Sequence, residues 1–351
     1  MLFPLWIVKD QPKTLLVDSR VGADERSGVE AQPCSAGYSP AVAGTSRPAT
    51  NAPTVAQSVD APHSTSNLIY SSDEIPVTSE HSTNRILRFY SDADEDSRLR
   101  TGWFQLEQAR TRELILRHLP PPPAAVIDAG GGSGVYACWL AQFGHRVHLV
   151  DVVPKHIAQA RAASDKQPEH PIASAEGGDA RRLEHPDAWA NAVLLLGPMY
   201  HLVEKEDRLA CLREAYRVLT PGGMVWAAGI SHFASLFDSL SRGFFDDPAF
   251  APIVERDLED SQHRNPTGNP LYFTDAYFHR PGELSRELLA AGFQVVEIVA
   301  IEGPGWLARD FDRLWNDPAQ RERLLKIVRK VEKEPSILGA TSHIMAIGRK
   351  T

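Results

Sequence analysis

The feature that most constrains the fold is a glycine-rich loop directly after a short apolar strand. Residues 126–136 read VIDAGGGSGVY, in which the apolar run ends at Asp128 and a helical pattern begins after Gly134. Glycine has no Cβ atom, so the chain can turn sharply there and its backbone amides can approach a ligand closely. A strand, such a loop and a helix are typical of nucleotide-binding α/β proteins, in which the amino end of the helix faces the ligand.

Apolar strands and amphipathic helices alternate after this loop. Apolar runs at 146–151, 191–197 and 224–230 predict strands, with helices between them. Two later runs, at 294–301 and 342–350, predict further strands. Alternation at this spacing predicts a parallel sheet with helices on both faces, and near-continuous apolar strands fit a sheet that is covered on both sides.

The first 80 residues differ from the rest in composition. Residues 31–67 contain five prolines, six serines and only two charged side chains, and large apolar residues are almost absent. Such a segment cannot bury enough surface to offset its ordering entropy, so we expect a disordered tail over 1–80. We expect a helical lead-in over 81–123, with a helix at 103–119 that the prolines at 120–123 terminate.

Composition narrows the possible functions and location. The formal charge of −8 argues against a broad surface for nucleic-acid phosphates. The three cysteines, Cys34, Cys138 and Cys211, form no CxxC pair, so we expect neither a disulfide framework nor a metal site. The amino-terminal apolar run is only eight residues long, and no stretch reaches 18. We therefore expect a cytoplasmic protein that does not insert into a membrane.

The spacing of the glycines distinguishes between families of nucleotide-binding loops. A dinucleotide fingerprint would place its third glycine at 135, where this chain has Val135. The order of an acid followed by Gly130, Gly132 and Gly134 instead resembles motif I of the class I S-adenosylmethionine-dependent methyltransferases.

Four further segments support this resemblance at the expected distances. Asp151 ends the second strand, and GGDARRL (177–183) resembles the loop that holds adenine in this family. NAVLLLGPMYHL (191–202) resembles motif IV, and LREAYRVLTPGGMVWAA (212–228) matches the helix, turn and fifth strand. The resemblance covers residues 124–348. It implies a Rossmann-like, doubly wound seven-stranded sheet of order 3-2-1-4-5-7-6 within a domain over 124–351.

The resemblance also implies a cofactor and its binding residues. The cofactor would be S-adenosyl-L-methionine. Asp151 would bind the ribose hydroxyls, and Asp179 and Ala180 would hold the adenine. The full set of implied cofactor-binding residues is Asp128, Gly130, Gly132, Gly134, Asp151, Asp179, Ala180 and Leu196.

Candidate catalytic residues depend on the acceptor. Methyl transfer needs a general base only where the acceptor must lose a proton, as a hydroxyl does. His201, at the exit of the fourth strand, is the first choice for that base, and His279 is the second. A structural role for each histidine remains open at this point.

Other segments could contribute to an acceptor site. The segment 231–280 carries an apolar face that suits either a lid or simple packing on the sheet. Tyr90, Arg98 and Trp103 could close over the cofactor or pack the lead-in helix, and EGPGW (302–306) is a plausible place for substrate contacts.

We predict a small-molecule acceptor and no nucleic-acid or membrane partner. The segment PMYHL lacks the Asn-Pro-Pro-Tyr pattern of amino methyltransferases that act on nucleic-acid bases or glutamine. The alternatives are an RNA or protein methyltransferase, a nicotinamide-dependent oxidoreductase, and a catalytically silent binding module.

Overall fold

A computed structural model describes residues 79–92 and 98–351 of the 351-residue chain. The tail predicted over 1–80 lies almost wholly outside the described residues. The described chain begins with helix α1 (Ser79–Asp92), and α2 (Phe104–Leu116) follows. Helix α2 replaces the helix predicted at 103–119 and ends before the prolines at 120–123.

Nine strands occur in the described residues. Their bounds are β1 (Ala125–Ala129), β2 (Arg146–Asp151), β3 (Ser174–Gly177), β4 (Ala190–Leu195), β5 (Leu219–Ser231), β6 (Gln262–His263), β7 (Ala276–His279), β8 (Gln294–Ala300) and β9 (His343–Arg349). The remaining helices are α3 (Val135–Gln142), α4 (Pro154–Asp165), α5 (Pro198–His201), α6 (Lys205–Val218), α7 (Ala234–Arg242), α8 (Ala251–Asp260), α9 (Pro281–Ala290), α10 (Phe311–Asn316) and α11 (Pro318–Val331).

The main sheet has the predicted order. Strand β1 pairs in parallel with β2 on one side and β4 on the other, and β4 pairs in parallel with β5. Strand β9 lies antiparallel between β5 and β8. The order β3-β2-β1-β4-β5-β9-β8 therefore confirms the predicted 3-2-1-4-5-7-6 arrangement. Two short strands, β6 and β7, extend the sheet beyond the end of β5.

Strand β5 begins earlier than the predicted start at residue 224. The Pro-Gly-Gly turn is part of the sheet because it pairs with the carboxyl end of the chain. The amide of Gly222 donates to the carbonyl of Lys350 at 2.8 Å, and the amide of Lys350 donates to the carbonyl of Gly223 at 2.9 Å. A turn motif alone does not reveal this long-range pairing.

The core consists of two apolar layers on opposite faces of the sheet. Successive strand residues point to opposite faces, so Val126 belongs to one layer and Ile127 to the other. Trp226 is fully buried, and its indole N–H donates to the carbonyl of Leu114 at 3.1 Å. Full burial of a large apolar side chain contributes about 1.5–3 kcal/mol to the free energy of folding. This bond fixes α2 against the centre of the sheet.

A buried arginine also holds α2 against β8. Arg110 is fully buried, and its Nε donates to the carbonyl of Ile301 at 3.2 Å. Its guanidinium also pairs with Glu332, which in turn accepts from Arg117 at 2.7 Å. Helix α2 is thereby anchored at the carboxyl end of β8.

The segment 231–280 packs partly on its own elements and partly on the rest of the chain, where Phe273 and Phe278 share a cluster with Tyr200. Phe244, Phe250 and Tyr272 form a small apolar cluster, whereas the side chains of Leu240 and Phe245 are exposed. The apolar face predicted for this segment is therefore divided between packing and solvent. Within the described part of the chain, no helix combines the length and apolar character needed to cross a bilayer.

Candidate active site

The glycine-rich loop leaves the carboxyl end of β1 in a conformation that favours glycine. Gly130, Gly132 and Gly134 have φ values of +71°, +57° and +86°, in the left-handed region. A Cβ atom at Gly130 would lie 2.7 Å from the Cδ atom of Pro198. The loop therefore packs directly against the segment that follows β4.

Asp151 at the end of β2 joins two loops. Its Oδ2 accepts a hydrogen bond from the amide of Gly132 at 2.8 Å, and its Oδ1 accepts one from the amide of Val153, also at 2.8 Å. The Nδ1 atom of His156 lies 3.3 Å from Oδ1. The carboxylate is 5% exposed and lies beside the glycine-rich loop.

A first cleft lies beyond Asp151. Asp151, Asp179 and Ala180, which were predicted to hold the ribose and the adenine, line this cleft. The lining residues relevant here are Ile86, Tyr90, Gly130, Asp151, His156, Asp179, Ala180, Pro198 and His201.

Asp179 is already paired within its own loop. Its carboxylate contacts the guanidinium of Arg181 at 2.6 Å and accepts from the Arg181 amide at 2.8 Å. Arg181 also pairs with Asp207 at 2.9 Å. Burial would raise the pKa of Asp179, but the hydrogen bonds and charge of Arg181 lower it below the usual value. Asp179 is therefore a fixed anion at the rim of the first cleft.

His201 contacts aromatic rings at the same cleft. Its Nε2 lies 2.8 Å from the hydroxyl of Tyr90, and its ring packs against those of Tyr90 and Phe273. Burial lowers the pKa of His201 to about 3. The imidazole is therefore neutral near pH 7 and only weakly basic, which argues against its predicted use as a general base.

A second cleft lies on the other side of the glycine-rich loop, and Gly130 lines both clefts. The second cleft extends to the carboxyl ends of β5 and β8 and the start of β9. Its lining includes Arg98, Leu99, Glu107, Thr111, Asp128, Gly132, Tyr136, Leu196, Tyr200, Ala228, Ile301 and His343.

Asp128 brings a buried carboxyl group to the second cleft. Among the described residues, neither of its side-chain oxygens has a hydrogen-bond partner. Burial and the nearby charge of Asp151 raise the pKa of Asp128 to about 7. A buried acceptor without a donor is costly. The position therefore suits a ligand that brings an N–H donor or a positive charge.

Arg98 and Glu107 form a buried ion pair in the same cleft. Nη1 and Nη2 of Arg98 donate to the two Glu107 oxygens at 2.8 and 3.1 Å, and the two side chains are 4% and 9% exposed. Burial alone would raise the pKa of Glu107, but the charge of Arg98 holds it well below the usual range. Arg98 was a candidate from the sequence, whereas Glu107 was not identified.

Glu302 and His343 form a second buried pair that the sequence did not identify. Nδ1 of His343 lies 2.6 Å from Oε1 of Glu302 and 4.0 Å from Oε2 of Glu107. The other Glu302 oxygen accepts from the hydroxyl of Thr341 at 2.7 Å and from the His343 amide at 3.0 Å. Glu302 begins the EGPGW segment, which was the only sequence signal for this pair.

Comparison with known proteins adds the family to this geometry. Residues 126–223, which contain the glycine-rich loop and strands β2 to β4, match the family described as a methyltransferase domain. This match and the strand order support the class I S-adenosylmethionine-dependent methyltransferase family for this part of the chain. Members of this family bind S-adenosyl-L-methionine, in agreement with the predicted cofactor.

The curated proteins that are similar to this chain have names that refer to different reactions. An S-adenosyl-L-methionine-dependent Diels-Alderase from Talaromyces variabilis is 35% identical over 29% of this chain and 35% of its own length. A ubiquinone/menaquinone biosynthesis C-methyltransferase from Caulobacter vibrioides is 31% identical over 30% of this chain and 43% of its own. The chain thus spans less than half the length of these two relatives.

A third relative is similar over a longer region. A tRNA 5-carboxymethoxyuridine methyltransferase from Escherichia coli is 28% identical over 69% of this chain and 88% of its own length. The three relatives share the family but not one acceptor, so the family alone does not identify the acceptor.

His279 does not line either cleft. It ends β7 with no exposed surface, and its Nε2 lies 3.2 Å from Glu287, which also pairs with Arg208 at 2.8 Å. A Cβ atom at Gly229 would lie 2.7 Å from its Nδ1. The structure therefore places the second predicted base in a packed ion-pair cluster rather than at the site.

Proposed function

We propose that this methyltransferase binds S-adenosylmethionine across both clefts and transfers its methyl group to a small-molecule acceptor in the second cleft. The observation that carries the proposal is that the glycine-rich loop lines two clefts at once. The residues predicted to hold the ribose and the adenine line one cleft. A set of mainly buried polar side chains lines the other.

The cofactor-binding roles follow from these positions. Asp151, Asp179 and Ala180 would hold the nucleoside in the first cleft. Gly130, Gly132, Asp128 and Leu196 would hold the amino-acid part in the second, and Gly134, which lines neither cleft, would let the loop turn into α3. The orphaned, buried carboxyl of Asp128 and the loop of left-handed glycines both fit such a group. When bound, S-adenosylmethionine supplies a methyl group already activated by its sulfonium.

The protein then has to align the acceptor and exclude water. The second cleft lies between α2 and the ends of β5, β8 and β9, and most of its walls are buried. Such a site suits a compact molecule, because an acceptor that is part of a large polymer would have to expose its reacting atom deep in the protein. This argument supports the small-molecule acceptor.

Incubation with methyl-labelled S-adenosylmethionine tests the proposal. The purified protein would be given a metabolite extract in one arm and total tRNA in another. Label in a metabolite, absent without protein, is the expected result. Failure of the unmodified protein to bind S-adenosylhomocysteine in calorimetry would contradict the cofactor assignment itself.

A tRNA nucleoside is the second candidate acceptor. It is favoured by the 28% identity to the Escherichia coli tRNA methyltransferase over 69% of the chain. The net charge of −8 disfavours it, because RNA binding needs a basic surface. Label that sediments with tRNA and is released by nuclease would replace the small-molecule proposal with this one.

We also retain two proposals about organisation. The first is a catalytic domain over 124–351, preceded by a lead-in over 81–123 and carrying a separate insertion at 231–280. The second is a reducing, cytoplasmic location, which the three scattered cysteines with no CxxC pair support.

A further inference from the structure

We propose that Arg181 determines the preference of the first cleft for adenine by holding Asp179 in place as a hydrogen-bond acceptor. The inference rests on the proposed function, in which Asp179 and Ala180 hold the adenine. It deepens that function by naming a positioning residue and the feature of the base that it selects. Arg181 lies in the segment GGDARRL (177–183), where only Asp179 and Ala180 were candidates from the sequence.

Three donors of Arg181 surround the carboxylate of Asp179. The backbone amide of Arg181 donates to Oδ1 at 2.8 Å, and its Nε lies 3.0 Å from both oxygens. Its Nη2 donates to Oδ2 at 2.6 Å. A planar guanidinium that binds through two nitrogens fixes the plane of a carboxylate as well as its position, which a lysine ammonium does not do.

The guanidinium of Arg181 is also held from its other side. Its Nη1 contacts the carboxylate of Asp207 at 2.9 Å, and Asp207 lies in the first turn of α6. Helix α6 packs on the sheet through Leu212 and Ala215. Asp179 therefore has a fixed orientation relative to the sheet, although its side chain is 39% exposed.

The carboxylate of Asp179 keeps the capacity to bind a ligand. Both Asp179 and Arg181 line the first cleft. A carboxylate can accept about four hydrogen bonds, so the three donors of Arg181 leave a site for a further donor. Burial would raise the pKa of Asp179, but the hydrogen bonds and charge of Arg181 lower it, which keeps the group an acceptor near pH 7.

A fixed acceptor distinguishes adenine from its 6-oxo counterpart, hypoxanthine. Adenine offers an exocyclic N–H donor beside a ring nitrogen that accepts, whereas hypoxanthine offers a carbonyl oxygen beside an N–H donor. The ionised carboxylate of Asp179 can only accept, and the backbone amide of Ala180 can only donate. Adenine matches this order, and hypoxanthine leaves polar groups unpaired. Because a mobile carboxylate could turn away from the carbonyl oxygen, the discrimination depends on Arg181.

Binding of S-adenosylhomocysteine and S-inosylhomocysteine tests the inference, because the two ligands differ only in the base. The full chain would be titrated with each ligand in isothermal calorimetry, and the ratio of the two dissociation constants would be compared between variants. We expect the wild type to prefer S-adenosylhomocysteine by about 10- to 100-fold, the factor for one hydrogen bond to a charged group. A general loss of structure would weaken both ligands alike and leave the ratio unchanged.

Variants then assign the preference to Arg181. Arg181→Met should lower the ratio by about tenfold, because Asp179 is no longer held. Asp179→Ala should lower it as far, and the double variant Asp179→Ala/Arg181→Met no further, since the two residues act as one unit. Arg182→Met, at the neighbouring exposed arginine that lines neither cleft, is the matched control and should keep the wild-type ratio.

The outcomes separate this inference from the proposed function. A wild-type ratio near one, or a full wild-type ratio in Arg181→Met, overturns the inference, as does a double variant with a lower ratio than Asp179→Ala. If Arg181→Met does not fold, Arg181→Lys takes its place, because it keeps the charge without the planar contact; a full ratio there overturns the inference too. Absence of S-adenosylhomocysteine binding in the wild type overturns the proposed function instead.

Discussion

The two clefts on either side of the glycine-rich loop are built in different ways. In the first, Asp151 binds the amides of Gly132 and Val153, and Asp179 binds Arg181 two residues later. In the second, Glu302 binds His343, which lies 41 residues further along the chain. The two aspartates of the first cleft are thus held by nearby loops at strand ends, whereas Glu302 of the second cleft is paired with a residue from a distant segment.

The ion pairs of the two clefts also differ in burial. The side chains of Asp179 and Arg181 are 39% and 28% exposed, whereas those of Glu107 and Arg98 are 9% and 4% exposed. Exposed pairs add little to stability because water and salt screen them. Removal of one partner from a buried pair leaves an uncompensated charge. The second cleft should therefore be the more sensitive to loss of one charge.

Removal of one arginine from each cleft tests this difference. Arg98→Met should lower the free energy of unfolding by about 3–5 kcal/mol, because Glu107 stays buried after it loses the bidentate contact with Arg98. Arg181→Met should change it by no more than about 1 kcal/mol. Denaturant unfolding of the two variants measures both.

The double variant Arg98→Met/Glu107→Leu is the control. It should recover most of the stability that Arg98→Met loses, because it removes both charges. Equal losses in the two single variants would show that burial does not separate the clefts.

The second prediction concerns cofactor affinity in the first cleft. Asp151→Ala should weaken binding of S-adenosylhomocysteine by about 1.5–3 kcal/mol, the range for hydrogen bonds to a charged group. Isothermal calorimetry measures the change. Asp187→Ala, at an exposed acid outside both clefts, is the matched control and should bind as the wild type does. Unchanged affinity in a folded Asp151→Ala protein would place the ribose elsewhere.

The third prediction concerns pH and the second cleft. The pKa of Asp128 is about 7 in the unliganded protein, and a cationic group of the cofactor would favour its ionised form. Binding should then release a proton, and the affinity for S-adenosylhomocysteine should rise by about tenfold between about pH 6 and pH 8. Calorimetry across this range measures the slope, which Asp128→Asn should flatten.

A second acid provides the control for that experiment. Asp238 has a pKa raised to about 7 by burial, but it lies in α7 and lines neither cleft. Asp238→Asn should leave the pH dependence of binding unchanged. A flattened profile in Asp238→Asn, or a steep one in Asp128→Asn, would assign the proton to another group.

The stability of the unliganded protein should follow the opposite trend with pH. Both Asp128 and Asp238 keep their protons to a higher pH in the folded than in the unfolded chain. Their contribution to stability is therefore greatest below the ordinary aspartate pKa and declines as the pH rises towards about 7.

The contrast between the clefts explains which residues of the site could be predicted from the sequence. The loop at 130–134, Asp151 and Asp179 lie within contiguous motifs at strand ends, so local spacing locates them. The strand order was also predictable, because the apolar runs and the family resemblance together specify it. Glu107 and His343 carry no local signal, since one lies on a helix and the other begins a strand, and only the fold brings them within 4.0 Å.

The histidines show the limit of reasoning from position along the chain. His201 follows the fourth strand as a base should, but burial among aromatic rings lowers its pKa to about 3. His279 lines neither cleft, and its Nε2 contacts Glu287 instead. The surroundings that control basicity come from residues far along the chain, so the sequence positions of these histidines could not predict it.

The close packing of Gly130 on Pro198 links the shapes of the two clefts. Because a Cβ atom at Gly130 would lie 2.7 Å from the proline ring, a larger residue there would shift the wall of both clefts at once. Substitutions away from the contact between Gly130 and Pro198 can change the acceptor site without moving both walls. Ala228 and Ile301 are two such positions, because they line the second cleft alone. Directed evolution towards new acceptors should therefore randomise Ala228 and Ile301 and keep Gly130 and Pro198 constant.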